Sequence, residues 1–461
     1  MMKRTRALLF SRVSRQSPSL LYNAIHSLST TVISVTLSLA TSVVIARGLG
    51  PAAKGNVDLI MATTNLLVMA FGLSLPSGIV YVIARGRATI RPLLLQLVIV
   101  AFFQTVLASA FLMLILQTNI SAAILPLDVQ TWSFWAITLL ISANLLSGYF
   151  FGVLAGLQEF PKANFYGLTG KTLLFIVITL IFLIRGNFGI VFDSHTVIWI
   201  FTLSAITSTI ILLAPIVPIV ATPSNTHKHE GNLKEVISYS IPAYFANIAQ
   251  YFSYRLDIFI VNIFLGIREV GLYALALNIS QTIWLFSGTI SNVLYPNIAS
   301  SSDFSAIVQR TSRVAKLTLW SNIVIALAIA IISKNLLPFV FGSEFQESVP
   351  SLLWLLPGVA AFGITNVVSS YVVGIGKPRL TFLFAVVCLV VMVTLDLFLV
   401  PLWGIDGASI ASSVAYFVTT LVSIIVFVRE SGANPVHIIV PDREDLHIII
   451  SLVQRVTQAN Q

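Results

Sequence analysis

Two ionisable residues, Arg255 and Asp257, fall inside one apolar run near 236–264, where few charges are expected. A charge at the centre of an isolated membrane helix costs at least roughly 2.5–3.5 kcal/mol, so such residues usually face protein or water rather than lipid. On a helix, Asn247, Gln250, Tyr254 and Asp257 follow steps of three and four and share one face. Arg255 points about 200° away from Asp257, so the two do not form a simple local ion pair. Each needs a partner on another helix or in a hydrated interior. One reading is a structural bridge between helices; the other is contact with a substrate or ion.

Further polar groups recur at helical spacing. Asn23, Ser27, Thr30, Ser34, Ser38 and Thr41 line the first apolar run, with His26 beside them, and Asp58 and Asn65 sit in the second. Asn278 and Gln281 follow the Arg255 run, and Lys171 lies about nine residues into another (GLTGKTLLFIV). Any single hydroxyl here can serve as glue between helices. The pattern as a whole predicts a hydrated central cavity. Amides, hydroxyls and the Tyr254 phenol (Gln250, Tyr254, Asn278, Gln281) suit sugar recognition, and Arg255, Lys171 and His26 suit an anion. Asp257 and Asp58 are the candidate coupling-ion carboxylates. Lys171 also has the option of snorkelling to an interface, His26 of a structural hydrogen bond, and Asp396 of reaching an interface near the end of its run.

Composition sets the class. Of 461 residues, 57 % are hydrophobic and 9 % charged, against roughly 25 % charged in soluble domains. The sequence therefore predicts an all-α integral membrane protein. Spans are expected near 22–46, 57–84, 92–116, 130–155, 162–184, 196–220, 236–264, 270–298, 315–340, 349–375, 379–402 and 406–428, about twelve in all. With a cytoplasmic amino terminus, nineteen Lys and Arg fall on inside segments and five on outside loops, Lys171 and Arg255 lying within spans. That bias puts both termini in the cytoplasm. The net charge of +9 therefore reads as topology, with no nucleic-acid partner.

A repeat divides the chain. Leu49-Gly50 and Gly55 recur as Leu265-Gly266 and Gly271, an offset of 216 residues. Tyr149–Gly152 (YFFG) recurs as Tyr371–Gly374 (YVVG), and Phe188–Ile190 (FGI) as Trp403–Ile405 (WGI). Six spans per unit make the repeat parallel, about an axis along the membrane normal, with substrate sites expected between the halves. The expected parts are a basic amino terminus (1–21), a first lobe (22–221), a cytoplasmic linker (222–234), a second lobe (235–429) and a cytoplasmic tail (430–461). His227 and His229 of the linker read as polar filler, and 446–456 as a short interfacial helix.

No GxSxG, P-loop, HExxH or paired-carboxylate loop is present. The GLTGKT stretch has the wrong glycine spacing for a phosphate cradle. One cysteine, Cys388, excludes an intrachain disulfide and a cysteine-built metal site. An enzyme is not expected, and neither a cofactor nor a metal is called for.

Several stretches carry a resemblance. ARGLGPAAKG follows the first span, and YSIPAYFANIAQYFSYRLDIFIVNIFLGIREVGLYALA runs through the seventh and eighth. LPFVFGSEFQESVPSLLWLLPG, VVGIGKPR and PLWGIDGASIASSVAYF complete the set. Together they resemble the polysaccharide-transport branch of the multidrug/oligosaccharidyl-lipid/polysaccharide exporter superfamily. The resemblance implies two six-helix lobes forming a V around a central cavity. It also implies flipping of a polyprenyl-pyrophosphate-linked glycan across the cell inner (plasma) membrane for surface polysaccharide synthesis, with basic cavity residues meeting the pyrophosphate. Partners would be that lipid-linked glycan, the bilayer, and polysaccharide polymerase and chain-length machinery. The alternatives are a cation-coupled multidrug exporter of the same superfamily and an integral-membrane glycosyltransferase or polymerase.

Overall fold

A computed structural model describes residues 20–126, 131–189, 191–221, 233–285 and 303–440, with scattered positions between 286 and 302. The side chains of 20–28, 131–132, 188, 220–221 and 437 are outside that description. Residues 222–232 of the expected linker, with the histidines at 227 and 229, and the expected interfacial helix lie outside the described residues.

The long helices are α1 (Leu20–Gly72), α2 (Leu75–Ala84), α3 (Ile90–Leu116), α4 (Thr131–Gly156), α5 (Phe160–Phe188) and α6 (Ser194–Leu213). They continue as α7 (Leu233–Leu265), α8 (Ile267–Gln281), α9 (Phe304–Phe341), α10 (Ser348–Gly374) and α11 (Arg379–Ser431). Among the described residues, nine helices are long and apolar enough to cross a bilayer. Two of these are hairpins. A straight helix of 53 residues, the length of α1 and of α11, would be about 80 Å long, against a hydrocarbon core of about 30 Å.

In α11 the reversal is at Gly404, whose φ of 61° and ψ of −141° are not helical. A side chain added at Gly407 would run into the carbonyl of Leu399, eight residues back and about 12 Å away in a straight helix. The same break in α1 is Gly50, at φ 72° and ψ 179°. Its repeat partner Gly266, at φ 92° and ψ 179°, separates α7 from α8. Positive φ of this kind suits glycine, which has no Cβ to clash. Among the described residues, counting each hairpin as two crossings gives eleven, and α8, with 15 residues, falls in the remaining one of the twelve expected spans.

The repeat is visible as a contact. A methyl on Gly55 would collide with the carbonyl of Ile267, and one on Gly271 with the carbonyl of Pro51. Pro51 and Ile267 are 216 residues apart, as are Gly55 and Gly271. Each half thus presents the same turn to the other, the reciprocity that a two-fold axis imposes. Two backbones can approach this closely only where neither carries a side chain.

Apolar packing follows the same division. One core gathers Ile45, Leu75, Leu93, Ile141, Leu154 and Ile198 from the first half. A second gathers Phe259, Leu275, Leu355, Met392 and Tyr416 from the second half, and takes in Ala46, Leu59 and Ala62 of α1. A third closes the far end of the second half around Tyr371 and Phe427.

One expected span is broken. Residues 57–84 form two helices, because Leu73 and Ser74 both have positive φ, 52° and 51°. The break is tied to α7 through one backbone and one side-chain group. Tyr244 donates its hydroxyl to the Ala70 carbonyl at 2.9 Å, and Asn247 donates Nδ2 to Ser74 Oγ at 3.0 Å.

Candidate functional site

At the end carrying the Gly50 and Gly266 elbows, the halves are tied together. Arg47 Nε donates to the Val340 carbonyl at 2.7 Å and its guanidinium also reaches Phe339, capping the end of α9. Asn262 donates Nδ2 to the carbonyls of Ala122 and Ala123 at 2.8 and 3.0 Å. Beside Arg47 lies a cavity of about 650 Å³ bounded by Gly50, Phe182, Phe341 and Glu344. At the opposite end the contact follows α2 and α7. There Tyr81 stacks on Tyr239 with ring centroids 3.9 Å apart, and Arg87 pairs with Glu235 at 2.5 Å.

Between these ends sit the residues singled out from the sequence. Arg255 on α7 is half-buried and donates to Asn278 Oδ1 of α8 at 3.0 Å. Two of the expected substrate-facing residues therefore meet each other. Gln250 is exposed and donates Nε2 to the Tyr254 hydroxyl at 2.9 Å. Both edge a cavity of about 190 Å³ inside the second half. Gln281, the last residue of α8, has its amide nitrogen buried without a hydrogen-bond partner among the described residues.

Lys171 on α5 reaches α1 and donates to Ser34 Oγ. Ser34 and Gln250 are 216 residues apart, so the repeat places them at equivalent points of the two halves. His26 belongs to α1, and its side chain lies outside the described residues.

The carboxylates have separate surroundings. Asp257 is fully buried, accepting from the Tyr273 hydroxyl at 2.5 Å and from Ser412 Oγ at 3.2 Å. Asp58 accepts from Lys54 four residues earlier on the same helix, and the lysine is almost fully shielded, with only 2 % of its side chain exposed. Asp58 is thus paired on its own helix, with 21 % of its side chain exposed.

Asp396, expected to reach an interface, is fully buried, and neither carboxylate oxygen has a hydrogen-bond partner among the described residues. The hairpin at Gly404 folds α11 back so that it packs along α7, which turns Asp396 inward. Asp257, also fully buried, lies on that same α7. Pairing across separate helices leaves no trace in local spacing. A second feature without a local signal is a ring cluster. Tyr254, Trp284, Phe362 and Tyr416 stack around one another, with centroids 4.9 Å (Tyr254–Trp284) to 5.9 Å (Tyr254–Phe362) apart.

The model of the family described as polysaccharide biosynthesis protein matches residues 20–302. The chain belongs to that family. A curated relative, the probable low-salt glycan biosynthesis flippase Agl15 of Haloferax volcanii, is 24 % identical over 193 residues. That match covers 41 % of this chain and 41 % of the flippase. Two solved structures share the fold. An inward-facing multidrug resistance MATE family transporter gives a TM-score of 0.69 at 14 % identity, covering 89 % of this chain and 98 % of that one. The lipid II flippase MurJ in an inward closed conformation gives 0.69 at 15 % identity, covering 87 % of each chain. The polysaccharide biosynthesis family member is thus a multi-pass membrane protein with the two-lobed architecture of these transporters.

Proposed function

We propose that this chain flips a polyprenyl-pyrophosphate-linked oligosaccharide from the cytoplasmic to the outer leaflet, for surface polysaccharide synthesis. The lobes are 22–221 and 235–429, joined by a cytoplasmic linker at 222–234. They rock about the Gly55–Gly271 contact, exposing the site alternately to each side of the inner (plasma) membrane. Both termini are cytoplasmic, so the elbow end faces outward. The polymerase and chain-length machinery would take the delivered glycan there.

One observation carries this reading: the two cations singled out inside the spans are held by neutral groups, Arg255 by the Asn278 amide and Lys171 by the Ser34 hydroxyl. A neutral partner orients a cation without cancelling its charge. Neither cation makes an ion pair with a carboxylate among the described residues, so each can turn to phosphate oxygens, and a guanidinium matches two of them at once. His26 would support the same anion, and Asn278 and Gln281 the sugar next to it. Kinship with the glycan flippase of Haloferax volcanii supports the same substrate class.

Asp257 is the coupling carboxylate, with Asp396 as its companion. Both carboxyls are fully buried, where a charge is costly unless a proton or a cation joins it. Coupling through Asp58 would first require separating it from Lys54.

The test is translocation of a labelled polyprenyl-pyrophosphate disaccharide by protein reconstituted in vesicles. Arg255→Ala should slow it at least about tenfold, the effect of losing roughly 1.4 kcal/mol of binding; Arg255→Glu should slow it further. Unchanged rates in both variants would remove Arg255 from the site. Expulsion of cationic dyes, abolished by Asp257→Asn, would instead favour a multidrug exporter.

A further inference from the structure

Two cavities flank α7 and share one residue. The first, of about 190 Å³, lies between α7, α10 and α11, where Asn247, Gln250, Thr365 and Asn366 meet the rings of Tyr254 and Phe362. The second, of about 230 Å³, lies on the other side of α7, at the break between α1 and α2. Asn144, Ser74, Ser77 and Tyr149 line it, and Asn247 closes it. Among the described residues, no Lys, Arg, His, Asp or Glu lines either one.

Size and chemistry narrow the occupant. Each cavity is smaller than the roughly 300 Å³ at which drug-sized sites begin, which suits one sugar ring and not a lipid. Hydrogen bonding in both walls comes from neutral groups. The amide nitrogens of Asn247, Gln250 and Asn366 already donate, to Ser74 Oγ at 3.0 Å, to the Tyr254 hydroxyl at 2.9 Å and to Ser287 Oγ at 3.2 Å. Each amide keeps a second N–H and its oxygen, so it can both donate to and accept from a sugar hydroxyl. A pyrophosphate would set its charge against amide and hydroxyl oxygens with no cation in the described wall to offset it. A uronic acid would bring a negative charge to the same oxygens, with no cation in the described wall to pair it. A neutral pyranose brings hydroxyl donors and an apolar face for the rings.

Resting on the lipid-linked-glycan reading, we infer that these cavities are successive subsites for uncharged sugar units, with Asn247 as their common wall. The first cavity reaches along α7 to Tyr254, at the level of Arg255, whereas the second meets α7 only at Asn247, about two turns away; the sugar nearer the pyrophosphate would therefore occupy the first. The next unit would occupy the second.

Binding of three synthetic polyprenyl pyrophosphates to the full-length protein in nanodiscs tests this: one bare, one carrying a disaccharide of neutral hexoses, one carrying a disaccharide with a uronic acid. The neutral glycan should bind about tenfold tighter than the bare lipid, and the acidic glycan should lose that gain. Asn366→Ala and Asn144→Ala should each cut the neutral-to-bare ratio about fivefold, the worth of one ordinary hydrogen bond. If Asn144→Ala does not fold, Gln250→Ala, at an exposed position, is read by the same ratio. Failure of the bare lipid to bind would overturn the carrier reading itself. Binding of the bare lipid with no gain from neutral sugar, an equal gain for the acidic sugar, or an unchanged ratio in folded variants would overturn the subsites alone.

Discussion

Adding a single methyl at the symmetric crossing tests how the two lobes meet. In Gly55→Ala the new Cβ would fall well inside 3.0 Å of the Ile267 carbonyl and at 3.0 Å from the Gly271 nitrogen. Its neighbours there are backbone, which cannot swing aside as a side chain can. The second-span helix and α8 must therefore part by about an ångström, and a gap of that size forfeits roughly a quarter to a half of each affected contact energy. Overpacking of this kind costs about 1–3 kcal/mol, against a gain of roughly 0.5–1 kcal/mol from replacing a helical glycine by alanine. The expected net effect is destabilisation by about 1–2 kcal/mol. Gly271→Ala should match it, since the contact is reciprocal. The double variant should cost less than the two combined, because the first methyl already separates the helices. Gly167, within α5 and with nothing near its missing Cβ, is the control, and Gly167→Ala should be neutral or stabilising. Unfolding of the four variants in nanodiscs gives the comparison. If Gly55→Ala were as stable as Gly167→Ala, the helices would not touch through their backbones and the two-fold contact would be wrong.

Three further outcomes are expected. Arg47→Ala removes the charged donors that cap the end of α9; hydrogen bonds of this type contribute about 1.5–3 kcal/mol. The population open at the elbow end should rise at least about tenfold, read from spin-label distances between the lobes. Tyr244→Phe leaves the Ala70 carbonyl without its phenol and should cost about 1 kcal/mol, with faster hydrogen exchange across residues 71–77. The third concerns acid. Arg268 hydrogen-bonds Glu347 at 2.8 Å and holds its carboxyl below the usual range. A depressed carboxyl contributes stability above its unfolded value and loses it as pH falls through the folded one. Glu347→Gln should therefore melt below wild type at neutral pH, and the gap should close near pH 3; a gap that widens in acid would contradict the pairing.

Much of the molecule's plan is legible in its residues alone. Crossings follow from runs of apolar residues because lipid leaves a backbone no partner but itself, so length and composition suffice. The repeat is legible at Gly50 and Gly266, since a tight elbow tolerates few residues other than glycine. Placing Arg255, Lys171 and Asp257 inside spans needs only their position in apolar runs. Which partners those side chains meet is not legible. Asn278 is 23 residues from Arg255, Ser34 is 137 from Lys171, and Ser412 is 155 from Asp257. No helical period reaches so far. The break at Leu73 and Ser74 is hidden for a related reason: neither residue favours positive φ, and the conformation is held by α7 rather than by local preference. Asp396 has the spacing of an end residue, and only the Gly404 hairpin folds it against α7. The sequence by itself determined how many times the chain crosses and where it turns, because solvation by lipid acts on each segment separately. Tertiary structure alone decided which partner each buried charge meets, because that depends on helices brought together from distant parts of the chain.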